Sequence, residues 1–210
     1  MYGHKKNVFK SIQLKNCDFI SIGEDKFIRF WEKLNARKRY SNYLYFKNNS
    51  LMNCILRIKE FEIVTSSFLD SKIEFWNFKN KNKNQSQIKT LEKIDCSNNA
   101  DNMILFDNNL IIIGNLIYVV NIESYNVIKE IKYNEIMLNT ILDISDFVFV
   151  IGDYQGNLIE FRIDENSDIK KIGEKRLHNG KIEAIMIFED GKIVSGGEDC
   201  VINIWKSIKI

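Results

Sequence analysis

The sequence predicts an all-β protein assembled from about five repeats of one four-stranded unit. Three observations carry this. The stretches "SIGEDKFIRFW" (Ser21–Trp31), "SSFLDSKIEFW" (Ser66–Trp76) and "SGGEDCVINIW" (Ser195–Trp205) share one spacing, in which Ser precedes Asp by four residues and Asp precedes Trp by six. The chain has only three tryptophans, and each ends one of these stretches, so the pattern is not a by-product of composition. Finally, short runs rich in Ile, Val, Phe and Tyr alternate with turn residues, and no long stretch has a helical period.

The repeats follow in order, at approximately 4–46, 47–91, 97–131, 134–176 and 178–210. Their markers fall near 31, 76, 119, 161 and 205, a period of about 42–45 residues, which is the length of a four-stranded propeller blade. In the first blade, strands a to d are expected near 8–14, 17–22, 26–32 and 40–46. His4 lies seventeen residues before Ser21, and Asn49 occupies the matching place in the second blade. The third blade keeps only the apolar strand "GNLIYVV", with Val119 or Val120 at the tryptophan position. The fourth, "IGDYQGNLIEF", aligns Ile151 with Ser, Gln155 with Asp and Phe161 with Trp. Its "DFVFVIG", like "NLIIIG" in the third, is a near-continuous apolar run, which suits a strand covered on both faces. In the fifth, "KIEAIMIF" and "KIVSG" flank an Asp-Gly hairpin signal, "CVINIW" follows, and His178 again precedes Ser195 by seventeen.

These residues, with "HNGKIEAI" at 178–185, resemble the WD-repeat family of β-propellers across nearly the whole chain. The resemblance implies structural tetrads in which His, Ser, Asp and Trp are hydrogen-bonded inside a blade. Here they are His4, Ser21, Asp25 and Trp31 in blade one and His178, Ser195, Asp199 and Trp205 in blade five. Ser66, Asp70 and Trp76 form an incomplete set in blade two. A buried indole N–H and both imidazole nitrogens need partners, and a chain of polar groups supplies them. The sequence departs from the family after Trp, where Glu32, Asn77 and Lys206 stand in place of Asp.

The same Ser, His and Asp also invite a hydrolase reading. A nucleophilic serine requires a base, an orienting carboxylate and an oxyanion hole around an open cleft. Repetition argues against it, because an enzyme does not need equivalent triads around a ring, and there is no Gly-x-Ser-x-Gly elbow. No catalytic residue, metal site or cofactor is expected.

Composition bounds the function. A net charge of +2 does not announce a nucleic-acid or membrane partner. Cys17, Cys54, Cys96 and Cys200 are widely spaced, as buried free thiols would be. No apolar run approaches a membrane span, and "MYGHKKNVFK" lacks the apolar core of a signal peptide. The expected location is intracellular, in cytoplasm or nucleus.

Two features suggest partners. After Trp205 only "KSIKI" remains for a fourth strand, so the ring is expected to be open and completed by a protein partner, to be part of a longer propeller, or to close with a stub. The resemblance also implies a top binding face at Glu24, Leu69 and Glu198, just before the tetrad Asp. A candidate basic rim comprises Lys33, Arg37, Lys38, Arg39, Lys79, Lys81, Lys83, Lys170 and Lys171, lying in or beside the c–d connections. No acidic residue occurs from Lys33 to Lys59 or from Phe75 to Leu91. The reading that follows is a non-catalytic scaffold for protein–protein interaction in a multiprotein complex. The alternatives are a subunit of an RNA–protein assembly using the basic rim, as in ribosome biogenesis or splicing, and a propeller enzyme.

Overall fold

The computed structural model describes residues 3–14, 18–34, 39–67, 69–79, 87–92, 94, 102–133, 137–145 and 147–206. The chain divides into two compact units, Met1–Asp95 and Cys96–Ile210. Every described strand is antiparallel to its sheet neighbours, and five sheets form the blades of a β-propeller.

The first unit holds two blades. Blade one is β1 (Val8–Gln13), β2 (Phe19–Gly23), β3 (Phe27–Leu34) and β4 (Arg39–Lys47), in that spatial order. Blade two is β5 (Cys54–Lys59), β6 (Glu62–Ser67), β7 (Lys72–Asn77) and β8 (Gln87–Glu92). Alternate residues of β2 and β3 turn Ile20, Ile22, Ile28 and Phe30 toward blade two, where they meet Met52, Ile55, Ile63 and Trp76. Rings fill this seam: Phe30 packs edge-on against Phe46 with centroids 5.3 Å apart, and Phe46 stacks on Trp76 at 6.3 Å.

The second unit holds three blades. Blade three is β9 (Met103–Phe106), β10 (Asn109–Ile113), β11 (Ile117–Asn121) and β12 (Asn126–Ile131). Blade four is β13 (Leu138–Ser145), β14 (Val148–Asp153), β15 (Asn157–Ile163) and β16 (Ile169–Arg176). Blade five shows β17 (Ile182–Ile187), β18 (Lys192–Gly197) and β19 (Ile202–Lys206); residues 207–210, where a fourth strand was sought, lie outside the described residues. Ile111, Ile113 and Ile117 of blade three pack on Leu138, Phe149 and Ile151 of blade four. On the other side of blade four, Val150, Leu158, Leu142 and Ile144 meet Leu177, Ile182, Ile185 and Trp205 of blade five. Strand β14 is buried along its whole length, which explains its apolar run from Val148 to Gly152 before the buried Asp153.

The hairpin joining strands b and c has one recurring device. The residue after the tetrad Asp position is left-handed in four blades: Lys26 (φ 62°), Ser71 (φ 48°), Gly156 (φ 87°) and Cys200 (φ 61°). Only at Gly156 does the space demand glycine. An added Cβ would lie 2.1 Å from the His178 carbonyl oxygen, where the backbone of blade five crosses.

Candidate functional site

In blade one the polar residues form a continuous chain. His4 Nδ1 lies 2.6 Å from Asp25 Oδ1, and His4 Nε2 lies 2.8 Å from Ser21 Oγ. The Trp31 indole N–H donates to Ser21 Oγ at 2.7 Å. A carboxylate only accepts, so Nδ1 carries the proton in the neutral ring, Nε2 accepts from the Ser21 hydroxyl, and Ser21 Oγ accepts from Trp31. Every bond then runs the same way, from indole to carboxylate. The other Asp25 oxygen takes the Lys5 amide at 3.0 Å, which fastens the incoming chain. Burial pushes Asp25 up, but bonds from His4 and from the Lys5 and Phe27 amides outweigh it and hold the carboxyl below its ordinary value.

Blade five repeats part of this chain. His178 Nδ1 lies 2.9 Å from Asp199 Oδ1, and His178 Nε2 lies 2.8 Å from Ser195 Oγ. The Asn179 amide donates to Asp199 Oδ2 at 2.9 Å. That bond and the one from His178, joined by the Val201 amide, hold Asp199 below the usual carboxylate range against the opposing effect of burial. The indole does not join: Trp205 Nε1 is buried with no hydrogen-bond partner. Asn203, directly across from Ser195, sits here instead and donates to the Leu177 carbonyl at 2.7 Å, with its Nδ2 3.4 Å from His178 Nε2.

Blade two differs in register. Trp31 faces Phe19 and Trp205 faces Ile193, each twelve residues back, but Trp76 faces Ile63, thirteen back. A one-residue slip sends a side chain to the other face of the sheet. Thr65 therefore stands where Ser66 was expected, and the Trp76 indole donates to Thr65 Oγ1 at 3.0 Å. Ser66 donates to Asn53 Oδ1 at 3.1 Å, and Ser67 rather than Ser66 reaches Asp70, at 3.2 Å. Asn49, at the expected histidine place, is exposed and lends its carbonyl to Lys26.

Two glycines that the spacing argument passed over make room for the histidines. A Cβ on Gly23 would lie 2.8 Å from His4 Nδ1, and one on Gly197 would lie 2.5 Å from His178 Nδ1. Both stand two residues after the serine, so the signal was present as "S-x-G" in the two histidine-bearing repeats. Blade four has neither histidine nor tryptophan. Its Asp153, fully buried, caps the hairpin by accepting from the Gln155 and Asn157 amides at 2.9 and 2.8 Å, and Phe161 stacks on Phe149 at 5.4 Å.

Chemically, blades one and five hold Ser, His and Asp in the order of a hydrolase relay, and in blade one His4, Ser21 and Trp31 line an open depression of about 360 Å³. Ser21 is buried with its oxygen occupied by Trp31, and Ser195 is wholly buried. Among the described residues no group of three or more His, Cys, Asp or Glu is arranged to hold a metal ion. No helix among them is long and apolar enough to cross a membrane. Cys54 is buried, whereas Cys200, expected to be buried, is exposed on the b–c hairpin; Cys17 and Cys96 lie outside the described residues.

The proposed binding residues are dispersed. Leu69 is 68% exposed at its hairpin tip. Glu24 pairs with Lys6 at 3.4 Å, and the Glu198 amide donates to the Lys181 carbonyl. Of the basic rim, Lys33, Lys79 and Lys170 are exposed, and Lys171 is engaged by Glu174 and lies over the Tyr133 ring. Lys170 and Lys171 belong to β16, the strand d that adjoins the c–d connection of blade four. Arg39 begins β4, and Arg37, Lys38, Lys81 and Lys83 lie outside the described residues.

No family model matches the chain, and no curated protein matches it in sequence. Among solved structures it is similar to the computationally designed Ika8 protein, with a TM-score of 0.70 and 16% identity over 97% of this chain. The match spans 59% of the Ika8 chain. At that identity the likeness is one of fold, and the chain is a β-propeller of five blades.

Proposed function

We propose that this chain is a non-catalytic WD-repeat scaffold, acting in the cytoplasm or nucleus, that offers hairpin tips and blade faces to protein partners in a multiprotein complex. The observation that carries this reading is the fate of Ser21. Its hydroxyl hydrogen goes to His4 and its oxygen accepts Trp31, so the residues that most resemble a catalytic relay are consumed in bracing a blade. Such a brace stiffens the sheet and leaves function to exposed positions such as Leu69. Propellers commonly serve as interaction platforms, and this is a fold-level argument. The basic segments give weaker support to an RNA partner, since Lys171 is already engaged by Glu174.

The test has two arms. A fluorophosphonate probe should leave Ser21 and Ser195 unlabelled; labelling of either would overturn the non-catalytic reading. Tagged chain recovered from its own cells should carry a stoichiometric protein partner that Leu69→Asp releases. Recovery of RNA alone, lost on nuclease treatment, would overturn the protein-scaffold reading in favour of the RNA one.

A further inference from the structure

Blades two and four tie the same two positions together by the same backbone bond. The Phe61 carbonyl accepts the Phe78 amide at 2.9 Å in blade two, and the Phe147 carbonyl accepts the Ile163 amide at 2.9 Å in blade four. Each phenylalanine stands at the a–b turn, beside the end of strand c. In blade two the Phe61 ring meets the Phe78 ring edge-on, with centroids 5.9 Å apart. In blade four the smaller Ile163 takes the place of that second ring, and Phe147 is left 49% exposed. Two hollows of about 550 and about 450 Å³ open here, and Phe147, Ile163, Asp164 and Glu165 border both. They form one cleft at the turns of blades three and four, and every residue of its walls belongs to the second unit.

The rim of the smaller hollow has charge of one sign. Asp107 comes from the a–b turn of blade three, and Asp164 and Glu165 come from the c–d turn of blade four; among the described residues no lysine or arginine borders it. Arg162 borders only the larger hollow. Asp107 and Glu165 are exposed, and among the described residues neither enters an ion pair. The walls are fixed by bonds within and between the blades. Asn109 of blade three donates to Ser167 Oγ of blade four at 3.0 Å, and Lys129 of blade three donates to the Asn166 carbonyl at 2.8 Å. Asp164 Oδ1 accepts from the Asn166 and Asp168 amides at 3.0 and 2.8 Å. A cleft held in shape this way loses little freedom when a ligand enters. Its apolar floor and carboxylate rim are complementary to a cation on an apolar stem, and an exposed ring adds attraction for that cation. We propose that this cleft binds a lysine- or arginine-bearing segment of a protein partner. The cation sits among Asp107, Asp164 and Glu165, and its stem lies against Phe147 and Ile163. This names a class of partner for the scaffold, and it rests on that reading.

Fluorescence anisotropy of the full chain with a labelled peptide of alternating lysine and leucine tests the cleft. Binding should be saturable, weaken as salt screens the carboxylates, and be absent for the matching peptide of glutamate and leucine. Asp107→Asn with Glu165→Gln removes two charges at nearly constant shape and should raise the Kd about tenfold. Phe147→Gly removes the ring from a left-handed position (φ 69°) that glycine adopts without strain. It should weaken binding and keep the melting temperature of the parent. A lysine peptide that does not saturate, equal binding of the glutamate peptide, or binding that both variants leave intact would each overturn the proposal. The release of a protein partner by Leu69→Asp is read separately. A partner released there, with no lysine peptide bound here, would overturn the cleft and leave the scaffold reading standing.

Discussion

Blade one and blade five carry the same four residues at the same spacing, yet the indole completes the chain only in blade one. The difference lies across the strand pair. Opposite Ser21 stands Arg29, which reaches along the strand to Asp25 at 3.4 Å and leaves the serine oxygen to Trp31. Opposite Ser195 stands Asn203, too short to reach Asp199, which turns to the Leu177 carbonyl and the histidine ring. Spacing fixes the backbone register of such a motif. The two blades share that register and differ in the residue across from the serine, Arg29 in one and Asn203 in the other.

The largest expected effect tests the shared hairpin. Gly156→Ala forces a side chain onto the His178 carbonyl of the adjoining blade and into a left-handed conformation. It should cost about 3 kcal/mol, from overpacking with backbone strain, and lower the melting temperature on the order of 10 °C. Cys200→Gly, at the matching left-handed position of blade five, should be neutral or slightly stabilising by calorimetry.

Removing the ring at the centre of each brace comes next. His178→Ala orphans the buried Ser195 hydroxyl and leaves a cavity, at a cost of about 2–3 kcal/mol in urea unfolding. His4→Ala should cost a similar amount. Asn53→Ala in blade two, which removes one bond to Ser66, should cost only about 1 kcal/mol. Equal costs at all three positions would show that the braces do not distinguish the blades.

The tryptophans give a sharper contrast, with a difference of sign. Trp31→Phe deletes a bond to Ser21 and should destabilise by about 1–2 kcal/mol. Trp205→Phe deletes an N–H that is buried without a partner, so the lost packing is offset and the change should lie within about 0.5 kcal/mol of zero. Destabilisation at Trp205 as large as at Trp31 would mean that the indole of blade five is bonded in solution.

Much of the architecture was legible because strand c carries the markers: Trp31, Trp76, Phe161 and Trp205 all lie in β3, β7, β15 and β19. Strands expected near 8–14, 17–22, 26–32 and 40–46 are found at 8–13, 19–23, 27–34 and 39–47. The third blade was legible only as apolar β runs, and burial of Leu110–Ile113 and Ile117–Val120 is enough to form it without a polar brace. The tetrad of blade two misled because Thr65, Ser66 and Ser67 are three hydroxyls in a row. Any of them satisfies a spacing rule, and only the pairing register, thirteen residues back from Trp76 in place of twelve, selects Thr65. The loss of the indole from blade five was not legible, since Trp205 has the same spacing and the same pairing register as Trp31. Ile202 and Ile204 were legible as apolar in "CVINIW" but not as exposed, because an apolar strand reads alike whether its side chains are covered or not.

The smallest effect is that of acid. Asp25 and Asp199 both titrate below their ordinary value in the folded chain. A carboxyl whose folded value is depressed contributes stability that is fully present above its unfolded value, near ~3.9, and is lost as pH falls through the folded value. Unfolding free energy should therefore hold its contribution from both groups at neutral pH and surrender it below about pH 4. Asp25→Asn should lower stability at pH 7 and flatten the acid limb, because the difference between variant and parent shrinks once the parent's carboxyl is protonated. Asp199→Asn should act in the same direction. In blade one the carboxylate anchors a chain that runs through to Trp31, whereas in blade five the chain ends at Ser195. If the indole strengthens the whole relay, Asp25→Asn should flatten the acid limb more than Asp199→Asn; equal slopes would mean that each histidine–carboxylate pair acts alone and the tryptophan adds only its own bond.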